Sequence, residues 1–359
     1  MSEWKEYKLE ELTEPIKDTF NPDGSDDYTY IGLEHIEQET LRLNSIGVSS
    51  DVTSNKFLFK ANDVLFGKLR PYFRKVVKPQ FEGICSTDIW VFRAKKGFYQ
   101  NYLYYFIANW DFVNTANSGE GGTRMPRADW NFLKTTEWKL PPLPEQIQIA
   151  SILSSLDDKI DLLHRQNKTL EQLAETLFRQ WFVEEAEESW EVGKLGDIAA
   201  FFNGKARPKE VLNGTIPIYG GNGVMGYTDK SNYNDISIII GRVGAYCGSL
   251  YLENKKIWVS DNALVTRPKI DDSSYFLFYL LKNLHLNSMA EGSSHPLLTQ
   301  TLLNSIEIII PPLNMIVAFD FQVKEFWNKI NYNTNQILTL TKLRDTLLPK
   351  LMSGEVRVA

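Results

Sequence analysis

Cysteine, histidine, long apolar runs and surplus positive charge are all scarce in this 359-residue chain, and each scarcity removes a class of function. Two cysteines, Cys85 and Cys247, cannot build a disulfide framework and lack the clustered Cys/His spacing of a zinc site, so both are expected to be packed thiols. The four histidines, His35, His164, His285 and His295, are too scattered to suggest a triad or a metal cluster. No segment approaches the roughly 20 apolar residues that span a bilayer. The start Met1-Ser2-Glu3-Trp4-Lys5 lacks the layout of a signal peptide, which makes the cytoplasm the expected compartment. A formal net charge of −6 argues against indiscriminate coating of nucleic acid.

Catalytic motifs are scarce too. Gly67-Lys68, Gly193-Lys194 and Gly204-Lys205 are followed by Leu, Leu and Ala, whereas a phosphate-binding P-loop needs Ser or Thr there. Two Pro-Pro pairs are flanked by aliphatic residues, unlike the Asp/Asn-Pro-Pro-aromatic motif of amino-methylating DNA methyltransferases. They read as helix entry points. Tyr219-Gly220-Gly221-Asn222-Gly223 has no framing strand and helix pattern, so it reads as a turn in a β-rich domain rather than a cofactor loop.

What is present is 43% hydrophobic and 13% aromatic residues, ample for two domain cores, and an internal repeat. Leu140-Pro141-Pro142-Leu143 recurs as Ile310-Pro311-Pro312-Leu313, and the same offset of 170 continues through about forty residues: Lys159-Ile160 falls on Lys329-Ile330, Leu170 on Leu340, Leu177 on Leu347. Upstream the match is looser. Trp4, Lys8, Leu9 and Leu12 correspond to Trp190, Lys194, Leu195 and Ile198; Leu65-Phe66-Gly67-Lys68 to Ile239-Ile240-Gly241-Arg242; Thr87-Asp88 to Ser260-Asp261; and Tyr102-Leu103-Tyr104-Tyr105 to Phe276-Leu277-Phe278-Tyr279.

After each Pro-Pro pair a helix is expected. Leu156, Ile160, Leu163, Asn167, Leu170, Ala174, Leu177 and Trp181 alternate steps of four and three, as do Phe326, Ile330, Asn333, Ile337, Leu340, Arg344, Leu347 and Leu351. This 3.5-residue period predicts a left-handed coiled coil in which the two helices partner each other. Asn167, Asn333 and Arg344 either fix its register or face solvent where the seam frays. A helix from Pro144 to Phe182 would be roughly 58 Å long. The remaining parts read as mixed but strand-rich, with strands at Tyr30–Leu33, Phe57–Phe59 and Ile89–Phe92 and a helical stretch from Tyr99 to Trp110. Ile236–Ile240, Ile257–Val265 and Tyr275–Leu284 repeat that order. The expected class is α+β, with globular domains at 1–140 and 184–310 and helices at 141–183 and 311–359.

Binding residues are read from local charge. From Lys56 to Lys96 there are ten basic residues against three acidic, a net +7. Within it Lys68, Arg70 and Arg74 surround Tyr72 and Phe73, a cationic surface interleaved with aromatics that suits DNA; the competing reading is a solvated strand edge. Ser118–Arg127 is a Gly-rich loop carrying Arg124 and Arg127, suited to a groove or simply to an ordinary surface. The second copy offers Lys205, Arg207, Arg242, Tyr246 and the loop residues Ser294 and His295.

The whole chain resembles the specificity subunit of type I restriction-modification enzymes. The resemblance is carried by Leu140-Pro141-Pro142-Leu143-Pro144-Glu145-Gln146, by Leu156-Asp157-Asp158-Lys159-Ile160 with Gln166-Asn167 and Leu170-Glu171-Gln172-Leu173-Ala174, and by Leu343-Arg344-Asp345-Thr346-Leu347-Leu348-Pro349-Lys350-Leu351-Met352-Ser353-Gly354-Glu355. The second copy departs from it after its prolines, with Asn314-Met315-Ile316 in place of Pro-Glu-Gln. The resemblance implies two globular α/β target-recognition domains, each reading half of a split duplex DNA target, separated by two long antiparallel helices with pseudo-two-fold symmetry. It further implies a chain with no catalytic residue, metal or cofactor of its own. Two methyltransferase subunits would use S-adenosylmethionine, and restriction subunits would use ATP and Mg²⁺. A coiled-coil scaffold whose paired domains bind some other ligand is the alternative class, and a cryptic enzyme at the domain junction a third.

Overall fold

The computed structural model describes residues 3–22, 27–118, 125–290 and 296–358. The chain divides into two compact units, Met1–Leu163 with Asn335–Ala359, and His164–Thr334. It is mixed α/β, and each long helix contributes to both units.

In the first unit, β1 (Thr13–Ile16), β2 (Val64–Gly67), β3 (Val76–Val77) and β4 (Ile89–Ala94) form an antiparallel sheet in the order β1-β4-β2-β3. Its central strands are continuously apolar because both faces are covered. Phe66, Trp90 and Phe92 point into one core with the helix α1 (Gln100–Ala108). Leu65, Ile89 and Val91 alternate to the other face, against Ile31, Phe59 and Cys85 of a five-stranded sheet. Two-residue periodicity therefore serves two cores at once. The helical stretch expected from Tyr99 to Trp110 is interrupted by Asn109, whose backbone is extended, and a second helix, α2 (Trp110–Ser118), follows.

The second unit has a four-stranded sheet of the same strand order followed by a helix, beside a three-stranded sheet where the first unit has five strands. Strands β5 (Ala199–Asn203), β6 (Ser237–Gly241), β7 (Leu250–Glu253) and β8 (Ala263–Pro268) pair as β5-β8-β6-β7. Ile238, Ile240 and Leu264 face a core shared with helix α4 (Ser274–Asn283). Ile239 and Val265 face the opposite one. The Gly-rich stretch is a hairpin turn, with Gly220 opposite Gly223. In both units a short two-stranded ladder leads into the Pro-Pro pair, Lys5–Lys8 on Glu137–Leu140 and Glu191–Lys194 on Glu307–Ile310. The ladders correct one sequence pairing. Ile89 lies opposite Gly67 and Ala263 opposite Gly241, so Asp88 corresponds to Asn262, not Asp261.

The long helices are α3 (Leu143–Arg179), which ends in a π turn at Gln180–Glu184, and α5 (Leu313–Ser353). Their entries match despite the different residues. The amides of Glu145 and Gln146 donate to the Pro142 carbonyl, and those of Met315 and Ile316 to Pro312. Side-chain roles diverge instead. Gln146 accepts from the Tyr99 amide at the start of α1, whereas in the second unit Asp320 accepts from the amides of Tyr275 and Phe276 at the start of α4.

The apolar stripe is placed only partly as its period suggests. Ile160, Leu163 and Ile337 are buried together with half-buried Leu340, a helix-to-helix cluster within the first unit. Leu347 and Leu351 instead join the first unit's globular core, and Leu177 the second's. Leu156 and Leu170 are half-buried, and Ile330 is buried. Beyond Leu170 the buried positions of α3 become Ala174, Phe178 and Phe182. There the helix packs on α4 through Phe178 and Phe276, 5.9 Å apart, so the four-residue face of an ordinary helix takes over from the heptad. Asn333 and Arg344 are buried rather than solvent-facing. No helix among the described residues is long and apolar enough to cross a membrane. Cys85 and Cys247 are buried free thiols.

Candidate nucleic-acid interface

One backbone arrangement recurs at the end of β2 and of β6. In the first unit the Lys68 amide donates to the Asp88 carbonyl, 2.9 Å, while the Lys68 carbonyl accepts from the Ala128 amide, 2.9 Å. An isolated bridge joins Leu69 to Arg127, and the Arg70 amide donates to the Pro126 carbonyl. The chain just after the Gly-rich loop is thereby stitched to the strand end. The second unit repeats each bond: Arg242 amide to Asn262 carbonyl, Leu298 amide to Arg242 carbonyl, a bridge from Val243 to Leu297, and Gly244 amide to Pro296 carbonyl.

A short 3-10 turn follows in each unit, Pro71–Phe73 and Gly244–Tyr246. Each presents a tyrosine to solvent, Tyr72 40% and Tyr246 51% exposed. The first turn is entered and left in the left-handed region, at Arg70 (φ 52°) and Arg74 (φ 47°); in the second, glycines hold the matching positions, Gly244 (φ 71°) and Gly248 (φ 88°). A non-glycine residue there costs about 1–2 kcal/mol, so the first unit retains two arginines against a conformational penalty.

The side chains around the first turn are mostly basic. Half-buried Lys68 is held below the usual lysine range by burial, which Asp88 opposes and Arg127 and Lys17 reinforce. Exposed Arg127 pairs with Asp88 at 3.2 Å. The Arg70 guanidinium lies 5.9 Å from the Phe73 ring centre. In the second unit Arg242 donates to Asn203 at 3.3 Å and Lys205 is exposed beside Ser260. Arg207 is engaged by Glu210 and the Met225 carbonyl. Arg124, Ser294 and His295 lie outside the described residues.

Arg74 does not belong to this surface. It is 2% exposed, donates to the carbonyls of Ala108 (2.7 Å) and Glu39 (3.3 Å), lies 3.7 Å from Asp345 and sits over the Trp110 ring. Carbonyls, a carboxylate and an aromatic face together satisfy a guanidinium well enough to bury it. Its place in a basic run hid this. Lys17 and Asn203, which the strand ends bring to the site, carry no local signal in sequence.

No group of His, Cys, Asp and Glu that could hold a metal occurs among the described residues. The family model described as "Type I restriction modification DNA specificity domain" matches residues 1–172 and 187–342. The type I restriction enzyme MjaIX specificity subunit of Methanocaldococcus jannaschii is 29% identical, over 74% of this chain and 71% of that protein. The HindI specificity subunit of Haemophilus influenzae is 22% identical over 99% of this chain and 100% of its own length. Among solved structures, the S subunit of a type I restriction-modification system from M. genitalium has a TM-score of 0.60 at 19% identity, covering 97% of this chain and 96% of that one. That likeness concerns the fold. Matched by the family model through both of its units, this chain belongs to the type I restriction modification DNA specificity family, the specificity subunits of type I restriction-modification systems.

Proposed function

We propose that the chain reads a bipartite duplex DNA target, each unit taking one half. The observation that carries this reading is the duplicated strand end, which offers Lys68 with Tyr72 and Arg127 in one unit and Arg242 with Tyr246 in the other. Cations near phosphates set position, and arginine or polar side chains at base edges set sequence. Arg70 of the first unit is matched by Gly244 in the second, so the two halves read are expected to differ.

In this reading α3 and α5 form an antiparallel coiled coil that separates two pseudo-symmetric recognition domains at 1–140 and 184–310 and fixes the unread gap. The chain has no catalytic residue. Chemistry falls to two methyltransferase subunits using S-adenosylmethionine and to restriction subunits using ATP and Mg²⁺. The decisive experiment is methylome sequencing of cells expressing the chain with its methyltransferase partner. A bipartite motif is expected, with a gap that changes when one helical turn is inserted in both helices; an unchanged gap overturns the spacing role.

A further inference from the structure

The burial of Arg74 links the turn at Pro71–Phe73 to the long helices within the first unit. The amide of Arg74 closes the turn on the Pro71 carbonyl, 2.8 Å, and its side chain is buried among partners outside the turn. There it holds the Ala108 carbonyl at the end of α1 and approaches Asp345 of α5. Asp345 accepts in turn from Arg344, at 3.1 Å from both Nε and Nη2, and Arg344 donates to Asp157 of α3 at 2.9 Å. Asp157 also accepts from the Tyr105 hydroxyl of α1, 2.7 Å. A continuous run of charged and polar contacts thus joins the turn to both helices.

Nothing comparable occurs at the matching place in the second unit among the described residues. Gly248 has no side chain, and a Cβ there would lie 2.5 Å from the Asn287 backbone nitrogen. The helix position equivalent to Arg344 is the buried Ala174. One turn is tied to the helices by charge, the other packed by backbone.

We infer that Arg74 is a positioning residue for half-site recognition, holding Tyr72 and Lys68 in place through Asp345 and Arg344 so that the first unit's reading depends on the helix pair while the second unit's does not. This rests on the proposed DNA-reading role of the two strand ends. It also gives a reason why arginine is kept in a left-handed conformation where glycine would be relaxed.

The test uses the chain in complex with its methyltransferase subunits and compares Arg74→Gly, which suits the backbone, and Asp345→Asn, which leaves Arg74 in place and serves should the first variant fail to fold. Methylation of every single-base variant of the target is counted by methylome sequencing, with thermal melting in parallel. The expected result is that discrimination falls roughly tenfold, the order of one well-placed contact, in one half-site only. That half-site should be the one whose reading changes with Tyr72→Ala. Equal loss in both half-sites, or none in either, overturns the inference even if melting falls. A wild-type complex with no sequence-selective methylation would instead overturn the DNA-reading role beneath it.

Discussion

The Arg344 guanidinium donates to the Asp157 carboxylate across 2.9 Å, joining α5 to α3 through a pair whose cation is almost fully buried. A cation removed from water is offset by its partners, here Asp157, Asp345 and the Thr40 carbonyl, and Asp157 in turn accepts from Tyr105. Removing one partner leaves the other stranded. Arg344→Ala is therefore expected to lower unfolding free energy by about 3–5 kcal/mol, and the double change Arg344→Met with Asp157→Leu by much less. Urea unfolding of the two variants measures the difference; equal losses would mean that the charge pairing is not what matters.

Asn333 is fully buried and donates through Nδ2 to Asn167 Oδ1, 2.9 Å, inside the second unit. A polar residue in an apolar seam sacrifices stability for a defined register. Asn333→Leu is expected to raise the melting temperature or leave it unchanged while making the gap between half-sites heterogeneous in methylome data. A lower melting temperature with a uniform gap would contradict the register role.

Gly244 and Gly248 separate two reasons for glycine. Both have positive φ, but a Cβ on Gly244 meets nothing within 4 Å, whereas one on Gly248 would strike the Asn287 backbone. Gly244→Ala is expected to cost about 1 kcal/mol, the conformational penalty alone. Gly248→Ala adds a clash with main chain that cannot rotate away, for a loss of about 3 kcal/mol or more. Equilibrium unfolding of both variants checks the order.

Much of this architecture was legible because it repeats. The Pro-Pro pairs, the apolar strands around Phe66 and Ile240, and the helices after Leu143 and Leu313 leave local patterns of burial. The site was less legible. Arg74 and Arg70 stand four apart in one basic run and share a left-handed backbone, yet one is buried and one only half-buried, because Arg74 meets the carbonyls of Glu39 and Ala108 and the Trp110 ring, partners that composition does not reveal. The seam was read past its end for a related reason. A heptad pattern cannot show that Leu351 and Leu177 meet globular cores, since those partners lie far away in sequence.

Alkaline titration should expose the buried phenols and thiol. Burial, aided by Glu34, raises Tyr30 to about 12, and burial raises Tyr275 and Cys85 to about 12, with Tyr102, Tyr104 and Tyr105 raised further. Each folded value lies above the unfolded one, so their contribution to stability is fully present below about pH 9, the ordinary thiol range, and is lost as pH rises through about 10 to 12. Phenolate absorbance of the buried set is expected to appear together with loss of helical circular dichroism. Full ionisation of all tyrosines near pH 10 with the fold intact would refute that burial.

Lys68 and Arg242 end equivalent strands, and each half-buried side chain stands beside a polar neighbour, Asp88 and Asn203 respectively. If both meet DNA, the kind of contact decides the signature. A lysine neutralising a phosphate contributes about one unit to the slope of log affinity against log salt and affects all sequences alike. An arginine donating twice to guanine contributes about 1–3 kcal/mol of discrimination at one base pair. Lys68→Ala is accordingly expected to flatten the salt dependence of binding by the methyltransferase complex with little change in motif, and Arg242→Ala to relax a single position of the other half-site. Fluorescence anisotropy across a salt series, with the cognate duplex and its single-base variants, separates the two; an unaltered slope for Lys68→Ala would remove that lysine from the interface.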